Sequence, residues 1–163
     1  MSETGQEVTS TAATGEPPDP AHRRRTFPDL TSPIRRSLLI TVLAVSLLDL
    51  HANWAWVVII GNALAGAWAL AAHWVPALRL RALWWFVAIA EITIFVQVAM
   101  GVGLVAGQGI EAPQFHMFYG FVAIIAVGII FAYRNQLEGW QYLLYGLGGL
   151  FLMGLGIRAM IVG

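Results

Sequence analysis

Long apolar stretches alternate with short connections from about Ser37 to the end of the chain. Four of these stretches, at approximately 53–74, 82–106, 116–133 and 140–162, reach the roughly 20 residues that a helix needs to cross a bilayer. The connections between them are short and contain prolines, glycines and arginines, so sequential helices are expected to run antiparallel. The pattern predicts an all-α fold, a polytopic membrane four-helix up-down bundle.

The apolar segment 37–50 is short for a membrane span. We predict that it forms an extra short N-terminal helix, a half-span or interfacial helix, at the start of a transmembrane helical bundle over 34–163. Residues 1–33 hold five acidic residues and five of the seven prolines, with little to bury. They are therefore predicted to form a disordered cytoplasmic tail.

Composition limits the class of protein. Of the 163 residues, 58% are hydrophobic and 11% are charged, which is outside the range of soluble domains. The formal net charge is zero, so no overall field would attract nucleic acid, and we exclude that partner. The chain has no cysteine, which excludes disulfides and thiolate metal sites. The expected partner is the lipid bilayer, with other membrane subunits or self-association through glycine-rich faces as further interpretations. Most of the glycines in the spans are expected to serve close packing between helices.

Arginine positions indicate an orientation, because basic residues collect in cytoplasmic loops. If segment 37–50 crosses or dips into the bilayer, the arginine-rich tail and the loops with Arg79, Arg81 and Arg134 all face the cytoplasm. The arginine-free loop at 107–114 then lies outside. This orientation places the start of the third span, at His116, near the outer face.

Two histidines lie at the edges of predicted spans, where ionisable groups are expensive and are therefore candidates for function. His51 precedes the first span and His116 opens the third, so both are expected at the same depth. Gly120 lies one turn from His116 and leaves a flat surface for a planar macrocycle. One interpretation is that His51 and His116 ligate the iron of one b-type haem. The other is that both are interfacial residues without a ligand.

Three further polar residues lie within predicted spans. Arg158 either extends to the interface or faces inward, where it would pair with a haem propionate or a carboxylate. Glu91 lacks an opposite charge at its depth and is expected to be neutral or hydrogen-bonded to a neighbour such as Asn62 or a tyrosine. Three roles of Glu91 are open: a proton relay, a quinone contact or an interhelical hydrogen bond. The chain has no catalytic motif, so we predict no catalytic residue, and an enzyme activity would have to rest on haem or quinone chemistry alone.

Four short motifs carry a resemblance to known proteins. They are Leu50-His51, the stretch from Val96 to Gly101, the stretch from Phe115 to Gly120, and the stretch from Gly154 to Ala159. In these the chain resembles a group of small four-span integral membrane proteins of undefined function, of the actinobacterial type. The resemblance implies a multi-pass protein of the bacterial cytoplasmic (inner) membrane.

The chain is more remotely similar to one four-helix unit of haem A synthase and to cytochrome b561-type bundles. Histidines near helix ends ligate haem in those families, which by resemblance implies His51 and His116. The chain has Met117 after His116, where haem A synthase usually has an arginine, and it has a single four-helix unit. The resemblance therefore does not imply haem A synthesis.

The sequence favours a structural or accessory membrane subunit without a cofactor. Two alternatives stay open. The first is a b-type haem protein in electron transfer or haem handling, with His51, His116, Gly120 and Arg158 at the haem. The second is a quinone or small-molecule site that uses Asn62 and Glu91.

Overall fold

The computed structural model describes residues 33–163, and these residues form helices joined by short connections. The four helices are α1 (Pro33–Trp74), α2 (Arg81–Val102), α3 (Gln114–Tyr133) and α4 (Gln141–Val162). A π-helical turn, Gly103–Gly107, continues α2, and 3₁₀ turns at Pro76–Leu78 and Glu138–Trp140 lie in two connections. The all-α prediction is confirmed for the described residues, and all four helices are long and apolar enough to cross a membrane.

The helix ends follow from local backbone chemistry. Val75 is extended, with φ −111° and ψ 98°, because a residue before a proline is kept out of the helical region. Gly109, in the α2–α3 connection, has φ +67°, a left-handed conformation that glycine adopts without a Cβ penalty. Arg79 donates from Nε to Ala72 O (2.9 Å) and from Nη2 to His73 O (2.8 Å). It therefore caps free carbonyls in the last turn of α1.

Packing is most extensive between α1 and α4, while α2 packs on α1 and α3 packs on α4. Among sequential helices, α2 and α3 touch each other least. Two clusters of buried side chains fill the interior. One lies between α1 and α2 (Ala65, Ala69, Ala72, Leu83, Val87, Ala90), and one draws on all four helices (Val58, Ile94, Ala123, Ala126, Val127, Ile130, Leu152).

Glycines allow the backbones of α1 and α4 to touch. A Cβ added at Gly66 would lie 2.8 Å from Gly146 O and 2.8 Å from Leu150 N. A Cβ at Gly149 would lie 2.8 Å from Gly66 Cα. Close backbone approach supplies packing that lipid surroundings do not otherwise drive. These three glycines thus serve packing within the chain, as the sequence predicted for most of its glycines.

Residues 37–50 do not form a separate short helix, because they belong to α1. No proline or glycine stands between Pro33 and Gly61 to end the helix. The Asn53 amide also donates to Asp49 O at 2.8 Å, across the point where a break was expected. The predicted disordered tail at 1–33 lies outside the described residues, apart from Pro33.

The first part of α1, residues 33–46, extends beyond the bundle; we call it the N-terminal extension. Among its described side chains, all except Arg35 are exposed. Because α1 is continuous, Arg35 and Arg36 lie at the end of the bundle opposite to Arg79 and Arg134. The charge pattern predicted that these arginines lie on one side. The structure instead places them at opposite ends of the bundle.

Candidate functional site

His51 of α1 and His116 of α3 meet at one end of the bundle, which we call the histidine end. Their ring centroids are 5.9 Å apart and the ring planes are inclined by 59°. Two helices that are not neighbours in sequence therefore bring their imidazoles together. The structure thus places two of the predicted site residues in contact with each other.

Gln97 of α2 fixes the His51 ring. Its Nε2 donates to His51 O at 3.0 Å and lies 3.3 Å from His51 Nε2. A carbonyl oxygen only accepts, so the amide nitrogen faces the ring and His51 Nε2 is the acceptor, which assigns the ring proton to Nδ1. Within residues 33–163, His51 Nδ1 and Gln97 Oε1 are buried and lack a hydrogen-bond partner. The histidine end thus retains one unused donor and one unused acceptor.

His116 is fixed by α4. Its Nδ1 lies 2.9 Å from Ala159 O, and because that carbonyl accepts, Nδ1 carries the proton. The two histidines therefore join α1 to α2 and α3 to α4, and their ring contact joins the two pairs. At this end of the bundle the imidazoles act as links between all four helices.

Two glycines lie beside the histidine rings. A Cβ at Gly120 would lie 3.7 Å from Val98 Cγ2, so Val98 covers the surface on which a macrocycle was expected to lie. On the other side, a Cβ at Gly101 would lie 3.2 Å from His51 Cε1, so the His51 ring packs directly on α2. The two imidazoles are a suitable donor pair for iron, and in this structure the Val98 side chain and the His51 ring itself lie next to the two glycines.

Arg158 lies on α4 next to Ala159, whose carbonyl bonds His116. Its side chain is exposed, and Nε donates to the Tyr119 hydroxyl at 3.3 Å. No group of three or more His, Cys, Asp or Glu side chains in residues 33–163 is placed to hold a metal ion. The structure therefore gives Arg158 a hydroxyl partner on α3 rather than a carboxylate.

Asn62 is buried, with 1% of its surface exposed, and it links α1 to α2. Its Nδ2 donates to Val58 O at 2.8 Å and to Ala90 O at 3.2 Å. An amide that bonds a backbone carbonyl on a neighbouring helix stabilises their packing. Asn62 therefore does not bond Glu91.

Glu91 lies half-buried in an apolar groove between α2 and α3, with Tyr145 of α4 also in its lining. A second groove, between α3 and α4, is lined by apolar residues alone. Neither groove includes His51 or His116. Glu91 and the histidine pair are thus two separate features of the bundle.

Several residues at these places were not predicted as functional. Gln97 was not among the predicted site residues, although it lies one turn before Gly101, against which the His51 ring packs. The role of the Ala159 carbonyl cannot be predicted from the sequence, because every residue has a backbone carbonyl. Tyr145 was not among the predicted site residues; it belongs to the glycine-rich helix α4. Its position beside α2 depends on how the helices pack.

No family model matches the chain, and no curated protein and no solved structure gives a match either. The proposals below rest on the residues and their geometry.

Proposed function

We propose that the protein is an integral subunit of the bacterial cytoplasmic membrane, with a structural or accessory role and no catalytic activity. The observation that supports this most is the engagement of both histidines within the protein. His51 packs on Gly101 and meets Gln97, and His116 bonds the backbone of α4. Polar groups used in this way stabilise a bundle, and a Val98 methyl group lies next to Gly120.

The N-terminal extension supports the accessory role. α1 has 42 residues, about 63 Å at ~1.5 Å per residue, whereas the hydrocarbon layer is about 30 Å thick. The extension bears exposed apolar side chains such as Ile34, Leu38 and Leu43. With that length the extension can reach beyond the hydrocarbon layer, where exposed apolar side chains favour contact with another protein.

The partner proposed for the extension is an apolar helix of another membrane subunit. Thr41 Oγ1 donates to Ser37 O at 2.9 Å and Ser46 Oγ donates to Leu43 O at 3.0 Å, so both hydroxyls are satisfied within α1. A second copy of this chain would bring its own Arg35 and Arg36 to the same level, where like charges repel. A different subunit avoids that repulsion.

Photo-crosslinking tests this proposal. A benzophenone amino acid is placed at Leu43 in the extension or, as a matched control, at Leu147 on α4; these side chains are 62% and 59% exposed. We expect Leu43 to give a discrete product with another membrane protein and Leu147 to give none. A product containing only two copies of this chain, or only lipid, would contradict the accessory role.

A visible absorption spectrum tests the absence of haem. Detergent-purified protein, expressed with an adequate haem supply, is recorded oxidised and dithionite-reduced beside His51→Ala and His116→Ala. We expect no reduced α band in any sample. A sharp α band that both substitutions abolish would overturn the cofactor-free proposal and establish a bis-histidine cytochrome.

A further inference from the structure

The groove between α2 and α3 is large enough for a small organic molecule. Its volume is about 450 Å³, within the range of ligand pockets. Gly128 of α3 contributes to this space, since a Cβ added there would meet no atom within 4 Å. The groove exists because these two helices make few direct contacts.

Aromatic rings form much of the lining. Trp84 and Phe95 come from α2, Phe131 comes from α3 and Tyr145 comes from α4. The Trp84 and Tyr145 ring centroids are 5.3 Å apart in an edge-on arrangement, so these two rings hold each other in place. Their faces and edges offer a fixed apolar surface with negative potential above each ring.

Glu91 is the acidic residue of this lining, and two polar side chains near it on α1 and α2 bond backbone carbonyls instead. Asn62 bonds Val58 O and Ala90 O, and the Thr93 hydroxyl donates to Ala90 O at 2.6 Å. Two arginines of the bundle are also committed, since Arg79 caps α1 and Arg134 donates to Phe131 O at 2.7 Å. No hydrogen bond within residues 33–163 involves the Glu91 carboxyl.

We propose that this groove binds a lipophilic organic cation, with Glu91 as the counter-ion and the aromatic rings around the apolar body. An acidic group at membrane depth is costly unless a positive partner accompanies it. Aromatic faces attract cations within about 6 Å of the ring centroid. A carboxylate and several rings in one groove therefore match a cation that carries its own apolar surface.

Equilibrium binding of radiolabelled tetraphenylphosphonium to the full chain in lipid nanodiscs tests the proposal. Empty nanodiscs give the background, and tetraphenylborate, of the same shape and opposite charge, is measured in parallel. We expect saturable binding of the cation and none of the anion. Loss of a desolvated charge partner in Glu91→Gln should weaken cation binding roughly ten- to hundredfold.

Matched variants separate the groove from general effects. Glu138→Gln removes a carboxyl from the α3–α4 connection and should leave binding unchanged. Gly128→Leu fills the groove and should weaken binding at least about tenfold, whereas Gly154→Leu, also at a position with open space, should not. Circular dichroism checks that each variant is folded, and if Glu91→Gln is not, Gly128→Leu decides.

Three results would overturn the proposal. These are the absence of saturable tetraphenylphosphonium binding above empty nanodiscs, equal affinity for tetraphenylborate, and wild-type affinity in folded Glu91→Gln or Gly128→Leu protein. The structural and accessory role of the preceding section would not be affected by any of them.

Discussion

The two parts of α1 have the same kind of composition and opposite surroundings. Ile40, in the N-terminal extension, is 60% exposed, whereas Ile59, in the part within the bundle, is 5% exposed. Apolar residues and the lack of helix breakers make both parts helical, because every backbone group is satisfied within the helix itself. The two parts differ only in their tertiary packing. The composition of an apolar helix therefore does not show which of its segments pack against other helices.

Polar residues show the same contrast. In the extension, Thr41 and Ser46 bond carbonyls of their own helix. In the bundle, Asn62 reaches α2 as well as its own helix, and the Trp54 indole donates to Thr93 O at 3.2 Å. Hydrogen bonds from α1 to a neighbouring helix are thus found in the part of α1 that lies within the bundle.

The largest effect is expected at the backbone contact between α1 and α4. In Gly66→Ala the new Cβ would press on backbone atoms of α4 that cannot move independently, which should destabilise the fold by about 2–3 kcal/mol. Gly61→Ala is the matched control on the same helix, because its Cβ would lie 3.9 Å from Ala90 Cβ, an ordinary contact. Thermal unfolding in detergent, followed by circular dichroism, compares the two. Equal melting temperatures would refute the close approach of the helices.

An isoleucine pair compares the two parts of α1 directly. Ile59→Ala leaves a cavity beside Gly156 and should cost about 1–2 kcal/mol, less than in a water-soluble core because the unfolded helices also stay in an apolar medium. Ile40→Ala should change the melting temperature of the bundle little. If both substitutions lowered it equally, the extension would have packing contacts that the structure does not show.

Asparagine substitutions test the polar link. Asn62→Ala removes the bond to α2 and should cost about 1 kcal/mol. Asn53→Ala removes a bond of similar length, to Asp49 O within α1, from an exposed position and should cost less than about 0.5 kcal/mol. The same unfolding assay measures both. A larger loss in Asn53→Ala would mean that bonding within α1, rather than between helices, stabilises the bundle.

Deletion of residues 1–46 should have the smallest effect on the bundle. Since the extension has exposed side chains and few neighbours, the melting temperature of the truncated protein should match that of the full chain. Co-purification of the partner captured by crosslinking at Leu43 should be lost. A truncated protein that retains the partner would place the association surface on the bundle itself.

The sequence predicted the end of the first helix and both ends of the other three within a few residues, because Pro76, Gly109 and Pro113 interrupt apolar runs of spanning length. It also predicted that glycines serve helix packing, and Gly66, Gly146 and Gly149 do so. It did not predict that residues 37–50 continue into the first span. Length was the argument for a separate helix, but a helix ends where a breaker or a cap ends it, and Leu50 to Asn53 contain no strong breaker.

The candidate site was predictable only in part. The antiparallel arrangement brings His51 and His116 to one end, which follows from short connections. The residues that surround the two rings could not be predicted from the sequence. The rotation of α2 about its axis decides that Val98 lies next to Gly120 and that Gln97 lies beside His51. The groove around Glu91 depends in the same way on the wide separation of α2 and α3.

The sequence by itself determined that the described chain is four long apolar helices and where each one ends. Only the tertiary structure decided which face of each helix is inside, which glycines touch a neighbour and which polar groups meet. The physical reason is that helices in lipid are apolar on all sides, so periodicity marks the inner face weakly. Helix association then depends on close packing and a few hydrogen bonds, and these are properties of pairs of helices in three dimensions.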